Sequence, residues 1–239
     1  KSEPPQFFIN ILVLGFSYVI ATFIETFLFA QKKEEEIVIN KNETLQTELK
    51  LLKSQINPHF LFNSLNNIYA LSAIDPKKTQ ESISYLSEML RYVLYECEQE
   101  RVPLEKELLY IKNYLKLFSL KSSKSYPITV DFQILDPAIK VVPMLFIPFV
   151  ENALKHSNIE KILGTFIRIS MRSDTKQIQF QIENSVPNTK INKDAMGGIG
   201  MENVKKRLAI LYPEKHHLSI IATKEIYTVQ LNIDIDENL

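Results

Sequence analysis

One segment of this sequence, residues 54–68, places a histidine between two side chains that could orient it. Apolar residues at helical spacing on both sides predict a helix, yet Pro58 lies within it, where a proline costs roughly 3 kcal/mol. Gln55, His59 and Asn63 are four residues apart, so one helical face would carry an imidazole between two amides that can fix its tautomer. A lone histidine is more often a satisfied core residue, and only a second motif elsewhere would favour chemistry.

A second candidate site lies in residues 143–157, which predict a helix that is apolar in its first half and polar in its second. Helical spacing brings Asn152 beside Lys155 and His156, and Glu151 is four residues before Lys155. An amide oxygen and a carboxylate are hard ligands that suit Mg²⁺ and its waters, whereas Lys and His suit phosphate. A solvated polar helix face is the alternative interpretation.

A third candidate site is the glycine-rich turn at residues 197–200, directly before a predicted helix. Free backbone N–H groups and the helix dipole attract phosphate at such a position. Glycines are also common there for turn geometry alone, so this signal is weak by itself.

Composition excludes several classes of protein. The chain has 239 residues, 45% of them apolar, and equal numbers of basic and acidic residues (28 each), enough for two domains with real cores. Zero net charge and the absence of Lys/Arg runs interleaved with aromatic residues argue against nucleic-acid binding. The one cysteine, Cys97, excludes an internal disulfide and fits a reducing compartment.

An apolar run at residues 7–30 is long enough to cross a bilayer, and Glu25 is its only charge. Lys32 and Lys33 follow directly, so the positive-inside rule places the rest of the chain in the cytoplasm, with the run in the inner membrane. Because the sequence begins at Lys1 rather than Met, we expect residues 1–31 to be the end of a membrane region that continues upstream.

Residues 32–121 are predicted to form helices that dimerise. A near-heptad pattern over residues 32–56 indicates a coiled-coil connector. Asp75 and Pro76 separate the histidine helix from a second amphipathic helix, and a further helix is expected after Pro103. A helical hairpin alone buries too little, so we expect it to pair with a second copy into a four-helix bundle.

Residues 122–239 are predicted to form a two-layer α+β domain, because strands would carry helices on one face. The predicted strands lie at 126–135, 165–172, 177–183, 217–223 and 227–235, and the predicted helices at 143–157 and 199–212.

In this order, the segments from about Leu52 to Ile235 resemble the LytS-type sensor histidine kinases of two-component systems. Three motifs carry the resemblance: Gln55-x-Asn57-Pro58-His59-Phe60-Leu61-Phe62-Asn63-x-Leu65-Asn66, then Glu151-Asn152-Ala153-Leu154-Lys155-His156, then Gly198-Ile199-Gly200-Met201-x-Asn203 with Arg207-Leu208 behind it.

The resemblance implies an ATP-dependent protein-histidine kinase in which His59 is the phosphoacceptor. Glu151, Asn152, Lys155 and His156 would form the N box around Mg-ATP, with Asn152 as the metal ligand. The phosphoryl group would then pass to an aspartate on a response regulator.

The glycine turn would be the G2 box at the end of a mobile ATP lid, so Gly198, Gly200, Asn203 and Arg207 are expected near the nucleotide. The fold implied is the Bergerat, or GHKL, fold shared with gyrase and the heat-shock chaperone ATPases.

One motif departs from the family. Such sites usually carry Asp-x-Gly-x-Gly, whose Asp accepts a hydrogen bond from the adenine amino group, but residues 182–188 lack both glycines. Asn184 aligns with that Asp and can still accept the bond, without the charge. Glu183 is the other candidate, but in an alternating strand it would face the opposite way.

Two functions stay open at this point. In the kinase, neutral His59 attacks the γ-phosphate while Gln55 and Asn63 orient the ring. The alternative is a membrane-bound dimeric signalling scaffold that binds nucleotide poorly, motivated by the glycines missing after Asn184. The complete histidine motif and N box favour the kinase.

Overall fold

The computed structural model describes residues 5–55, 58–122, 124–186 and 199–235. The chain divides into two compact units between Ile56 and Asn57, and each is described by itself. The predicted division at residues 121 and 122 stays a prediction.

The first unit is one long helix, α1 (Gln6–Gln55). Its stretch Asn10–Lys41 is long and apolar enough to cross a membrane, with a mean hydropathy of 2.0 in its most apolar window, and no residue of that window is buried. Hydroxyl groups within the run donate back to the helix, as Thr26 Oγ1 does to the carbonyl of Thr22 at 2.8 Å. The stretch Asn10–Lys41 is the candidate membrane span.

The predicted coiled coil follows in the same helix. The side chains of heptad residues 45–56 lie outside the described ones, so the coiled coil stays a prediction.

The second unit begins with helices. These are α2 (Pro58–Ser72), α3 (Pro76–Arg91), which continues as the π-helical turn Tyr92–Glu96, and α4 (Leu104–Leu120). Asp75 caps α3, because its carboxylate accepts the N–H of Lys78 at 3.0 Å, and Pro76 occupies the first helical position.

We expected Pro58 inside a continuous helix. The description of α1 ends at Gln55 and that of α2 begins at Pro58, and residues 56 and 57 between them lie outside the described residues. The predicted effect of Pro58 on the helix therefore stays a prediction.

The rest of the unit is a five-stranded sheet made of β2 (Ile128–Ile134), β4 (Ile167–Ser173), β5 (Gln177–Ser185), β6 (His216–Ala222) and β7 (Ile226–Asp234). The order of the strands across the sheet is β2-β4-β5-β7-β6. Only β2 and β4 pair in parallel, and the other described pairs are antiparallel. The predicted mixed helix and sheet class is confirmed.

Two helices accompany the sheet, α5 (Ile147–Ser157) and α6 (Ile199–Leu211). The core between α5 and the sheet is aromatic: the rings of Phe146 and Phe149 lie 5.1 and 5.7 Å from that of Phe180 on β5. Burial of these rings supplies much of the packing energy of this interface.

The helix predicted at residues 143–157 begins later than expected, at Ile147. Met144 has a φ of 57°, in the left-handed region, which interrupts a right-handed helix. A small pairing that the sequence did not predict leads into this turn: β1 (Val102–Pro103) is antiparallel to β3 (Lys140–Val141). The segment that leads into α5 is therefore paired with the segment directly before α4.

Candidate active site

A buried carboxylate fixes the start of α5. Glu107, on α4, is 1% exposed, and its carboxylate accepts the backbone N–H groups of Met144 at 2.6 Å, Leu145 at 3.0 Å and Phe146 at 3.4 Å. The hydroxyl of Tyr92 donates to the same carboxylate. These amides have no partners inside α5, so a carboxylate from another helix satisfies the helix start.

The same turn is held from its other side by α6. Arg207 donates from Nη1 to the carbonyl of Met144 at 3.0 Å and from Nη2 to that of Pro143 at 2.6 Å. Burial lowers the pKa of Arg207, and the Glu107 carboxylate opposes that shift. Burial raises the pKa of Glu107, while Tyr92 and the three amides act in the opposite direction. A contact of Arg207 with nucleotide stays a prediction.

The polar face of α5 carries all four predicted N-box residues. Glu151, Asn152 and His156 are half-buried, and Lys155 is exposed, whereas Ala153 between them is buried. Burial, and then the charge of Lys155, lowers the pKa of His156, so its imidazole is neutral at pH 7. A neutral imidazole, an amide, an ammonium and a carboxylate thus lie together on one helix.

The Glu151 carboxylate is half-buried, and its charge acts on the hydroxyl of Tyr114 on α4. Burial, followed by the charge of Glu151, raises the pKa of Tyr114, so this hydroxyl keeps its proton.

Asn184 lies near the end of β5 with its side chain 1% exposed. Its Nδ2 donates to the carbonyl of Ser185 at 3.0 Å, but no hydrogen bond from the described residues reaches its Oδ1. A buried acceptor without a partner costs about 1–3 kcal/mol, so such an atom calls for an explanation. A donor on a bound ligand would supply one.

Glu183 faces the other side of the sheet, as the alternation predicts. Its carboxylate accepts a hydrogen bond from Gln181 at 2.9 Å and lies 3.6 Å from Nη1 of Arg168. These partners are on the half-exposed face, so Asn184 alone of this pair points into the core.

His59 is exposed on the first turn of α2. Nδ2 of Asn63 lies 3.3 Å from both Nδ1 and Nε2 of the imidazole. Being equally far from the two nitrogens, the amide contacts the ring without selecting one tautomer. The side chain of Gln55, the other predicted neighbour, lies outside the described ones.

The glycine turn is described only in part. Gly198 lies outside the described residues, Gly200 is the second residue of α6, and Asn203 is exposed on the same helix. The described residues contain no group of three or more His, Cys, Asp or Glu that could hold a metal ion. Asn152 fits a magnesium ion of the kind held by one or two protein oxygens together with substrate phosphates and water.

Sequence reasoning missed Glu107 and Tyr114 as parts of this site. A signal for Glu107 was present, because it stands among Leu104, Leu108 and Ile111 on the apolar face of α4. A charged residue on the buried face of a helix is paired or hydrogen-bonded, which predicts a partner but not which one.

Comparisons with known proteins agree with the motifs. A family model described as histidine kinase matches residues 47–126. The sensor histidine kinase YpdA of Escherichia coli is 31% identical over 224 residues, covering 87% of this chain and 36% of that protein. The sensor protein LytS of Staphylococcus saprophyticus is 30% identical over 184 residues, covering 72% of this chain and 31% of that protein. The chain therefore spans about a third of the length of these relatives.

Among solved structures, the histidine kinase domain of the blue-light activated kinase EL346 from Erythrobacter litoralis is similar at a TM-score of 0.42 and 14% identity. The likeness covers 77% of this chain and 92% of that one.

Proposed function

Because this chain belongs to the LytS-type sensor histidine kinases, we propose that it transfers the γ-phosphoryl group of Mg-ATP to His59 and then to an aspartate of a response regulator. The observation that carries the nucleotide part of this proposal is the buried Oδ1 of Asn184, to which no described residue donates. The amino group of adenine is a donor of the required kind.

The polar face of α5 would receive the phosphates. Lys155 would hold negative charge there, and the backbone amides at Gly198 and Gly200 would do so from the start of α6, with Asn203 and Arg207 in support. Asn152 would contribute an oxygen ligand to magnesium, and His156 would bind phosphate as a neutral donor. When bound, Mg²⁺ neutralises phosphate charge and holds the phosphates in line for transfer.

His59 would act as the nucleophile. A neutral imidazole nitrogen forms the new bond to phosphorus while the bond from phosphorus to the β,γ-bridging oxygen breaks and ADP leaves. The ring must lose one proton in the process, and Glu151 is the carboxylate of the N box that can accept it. Asn63 restrains the ring through the contacts described above.

The exposed face of α2 favours a homodimer. Phe62, Leu65 and Tyr69 are 65%, 47% and 83% exposed at helical spacing, which leaves an apolar stripe that the described residues do not cover. A second copy packing on it would complete the four-helix bundle. The candidate span Asn10–Lys41 would contact lipid in the inner (cytoplasmic) membrane, with the kinase region in the cytoplasm.

The test is phosphoryl transfer itself. The full chain in lipid nanodiscs is incubated with γ-³²P-labelled ATP and Mg²⁺, and the label is examined for the acid lability and base stability of a phosphohistidine. A labelled protein that loses its label to a receiver domain supports the proposal. An unlabelled protein that still dimerises would support the signalling scaffold instead.

A further inference from the structure

The segment of residues 142–146, which leads into α5, is bonded from α6 as well as from α4. On the α6 side, Arg207 donates from Nη2 to the carbonyl of Pro143 at 2.6 Å and from Nη1 to that of Met144 at 3.0 Å. A planar guanidinium places two donors in a fixed fork, so one side chain bonds two successive carbonyls. Both acceptors are backbone atoms, and both lie before the first residue of α5.

Tyr212, directly after α6, bonds the same segment. Its hydroxyl accepts the N–H of Val142 at 3.0 Å, and its side chain is buried. The backbone N–H of Tyr212 donates to the carbonyl of Leu208 at 2.9 Å, which extends the hydrogen-bonding pattern of α6 to this residue. The guanidinium of Arg101 lies over the ring, 4.9 Å from its centroid. The hydroxyl is therefore held at a fixed position relative to α6.

The segment needs such contacts, because its own conformation is unfavourable. Met144 has a φ of 57°, and a non-glycine residue rarely adopts the left-handed region unless the surrounding structure holds it there. The carboxylate of Glu107 binds the N–H groups of residues 144–146, and α6 binds one N–H and two carbonyls at residues 142–144. Removing the contacts on the α6 side would therefore free the segment to adopt other conformations.

We propose that Arg207 and Tyr212 are positioning residues of the phosphate site: through residues 142–144 they fix α5, which carries Asn152, relative to α6, whose second residue is Gly200. The inference rests on the proposed function, in which the polar face of α5 and the start of α6 receive the phosphates, and it deepens that function. Arg207 and Tyr212 would act through the backbone that they bond, without contacting the nucleotide.

This arrangement predicts an effect that is confined to the phosphates. The two helices that would bind phosphate are joined through the segment, whereas Asn184, the proposed adenine contact, is on β5. If part of the population holds the segment in another conformation, ATP binds only the rest, and its apparent affinity falls in proportion. A ligand without phosphates gains nothing from the correct placement of α5, so its affinity should not change.

The first test is Arg207→Lys in the full chain, which keeps the positive charge but cannot bond two carbonyls at once. The affinity for ATP with Mg²⁺, measured by calorimetric titration below the melting temperature of each variant, should fall about tenfold, the size expected from losing one hydrogen bond made by a charged group. The affinity for adenosine, measured by its competition with ATP, should stay within about twofold. Lys206→Gln, which removes the exposed cation next to Arg207 on α6, is the control and should bind ATP as the unsubstituted chain does.

The second test is Tyr212→Phe, which removes only the hydroxyl that accepts the N–H of Val142. Tyr212 lines a cavity with Ile178, the second residue of β5, whereas Asn184 is next to the last, so the cavity and the adenine contact lie at ends of the strand that are roughly 20 Å apart. The variant should lose about threefold in ATP affinity, the size of one neutral hydrogen bond, again without loss of adenosine affinity. Tyr110→Phe, which removes the hydroxyl of another buried tyrosine, on α4, is the control and should bind ATP normally.

Each other outcome overturns the inference. Unchanged ATP affinity in both variants would leave Arg207 and Tyr212 as residues that only stabilise the fold. A loss in Arg207→Lys with none in Tyr212→Phe would indicate a direct contact of Arg207 with phosphate, and an equal loss of ATP and adenosine affinity would indicate a general loosening of the fold. If Arg207→Lys does not fold, Tyr212→Phe decides alone. If the unsubstituted chain binds no ATP, the proposed function fails first, and the inference falls with it.

Discussion

Glu107 and Asn184 are both polar side chains that are 1% exposed, but their surroundings differ. The Glu107 carboxylate receives three backbone N–H groups and the Tyr92 hydroxyl. The Oδ1 atom of Asn184 receives no hydrogen bond from the part of the chain that the structure describes, although its Nδ2 is bonded. The two side chains are equally buried, but the Glu107 carboxylate accepts hydrogen bonds and the Asn184 Oδ1 atom accepts none from the described residues.

This difference separates a residue that stabilises the fold from a residue that can bind a ligand. A satisfied buried group fixes the positions of the elements that it joins, here α4 and α5, and a ligand has nothing to add to it. A buried acceptor that receives no hydrogen bond lowers the stability of the ligand-free protein. It therefore favours binding of a molecule that supplies a donor. The comparison predicts that Glu107 governs stability and Asn184 governs nucleotide affinity.

The largest effect is expected at Glu107. Glu107→Gln would place an amide NH₂ group among backbone donors, and breaking such a buried charged network costs about 3–5 kcal/mol. Thermal unfolding of the full chain should show a melting temperature lowered by roughly 10 °C. Glu105→Gln, at an exposed position in the first turn of the same helix, is the control and should change little. Equal melting temperatures for the two variants would break the comparison.

A smaller effect is expected at Asn184. Asn184→Leu removes the acceptor and leaves the adenine amino group unpaired, an expected loss of about 1–3 kcal/mol, or roughly one to two orders of magnitude in ATP affinity. Calorimetric titration with ATP measures this directly. Melting temperature should change less than in Glu107→Gln, because none of the described residues donates a hydrogen bond to the lost acceptor.

Two further variants sharpen the Asn184 result. Asn184→Asp keeps the acceptor and adds charge, so ATP should bind within a few-fold or more tightly, since a charge-assisted bond is roughly twice as strong as a neutral one. Glu183→Ala should change little, because its carboxylate faces Gln181 and Arg168. If Glu183→Ala loses ATP while Asn184→Leu binds normally, the adenine contact belongs to Glu183.

The smallest effect is expected at His156, a base that is less buried than Glu107 and Asn184. Burial lowers its pKa in the folded chain, so the unfolded chain binds a proton more readily. The stability that depends on this group is complete above the ordinary histidine pKa of about 6.5 and declines as the pH falls below it. His156→Gln should therefore lose less melting temperature between pH 7.5 and pH 5.5 than the unsubstituted chain does. The exposed His217→Gln is the control, and an identical pH response in both variants would remove His156 from the account.

Local sequence patterns predicted those features of the site that depend on the periodicity of a helix or a strand. The alternation along β5 predicted that Asn184 and Glu183 face opposite sides, and helical spacing predicted the polar face of α5. Strands were located to within a few residues for the same reason, because burial of alternate side chains is a local property of the sequence.

Contacts between distant segments could not be predicted in this way. The start of α5 depends on Glu107 and on the left-handed Met144, and local periodicity contains no information about a carboxylate supplied by α4. The parallel pairing of β2 with β4 and the stacking of Phe60 on Tyr114 are of the same kind. Each joins residues far apart in the chain, and only the folded packing selects them.

The central claim, that ATP phosphorylates His59, is tested most directly with His59→Gln. The variant and the unsubstituted chain are incubated with γ-³²P-labelled ATP and Mg²⁺, and ATP affinity is measured on the same preparations. The account predicts no label on His59→Gln and unchanged affinity, because the substitution removes only the nucleophile. A labelled His59→Gln protein would contradict it and move the acceptor elsewhere, with His156 as the first residue to examine.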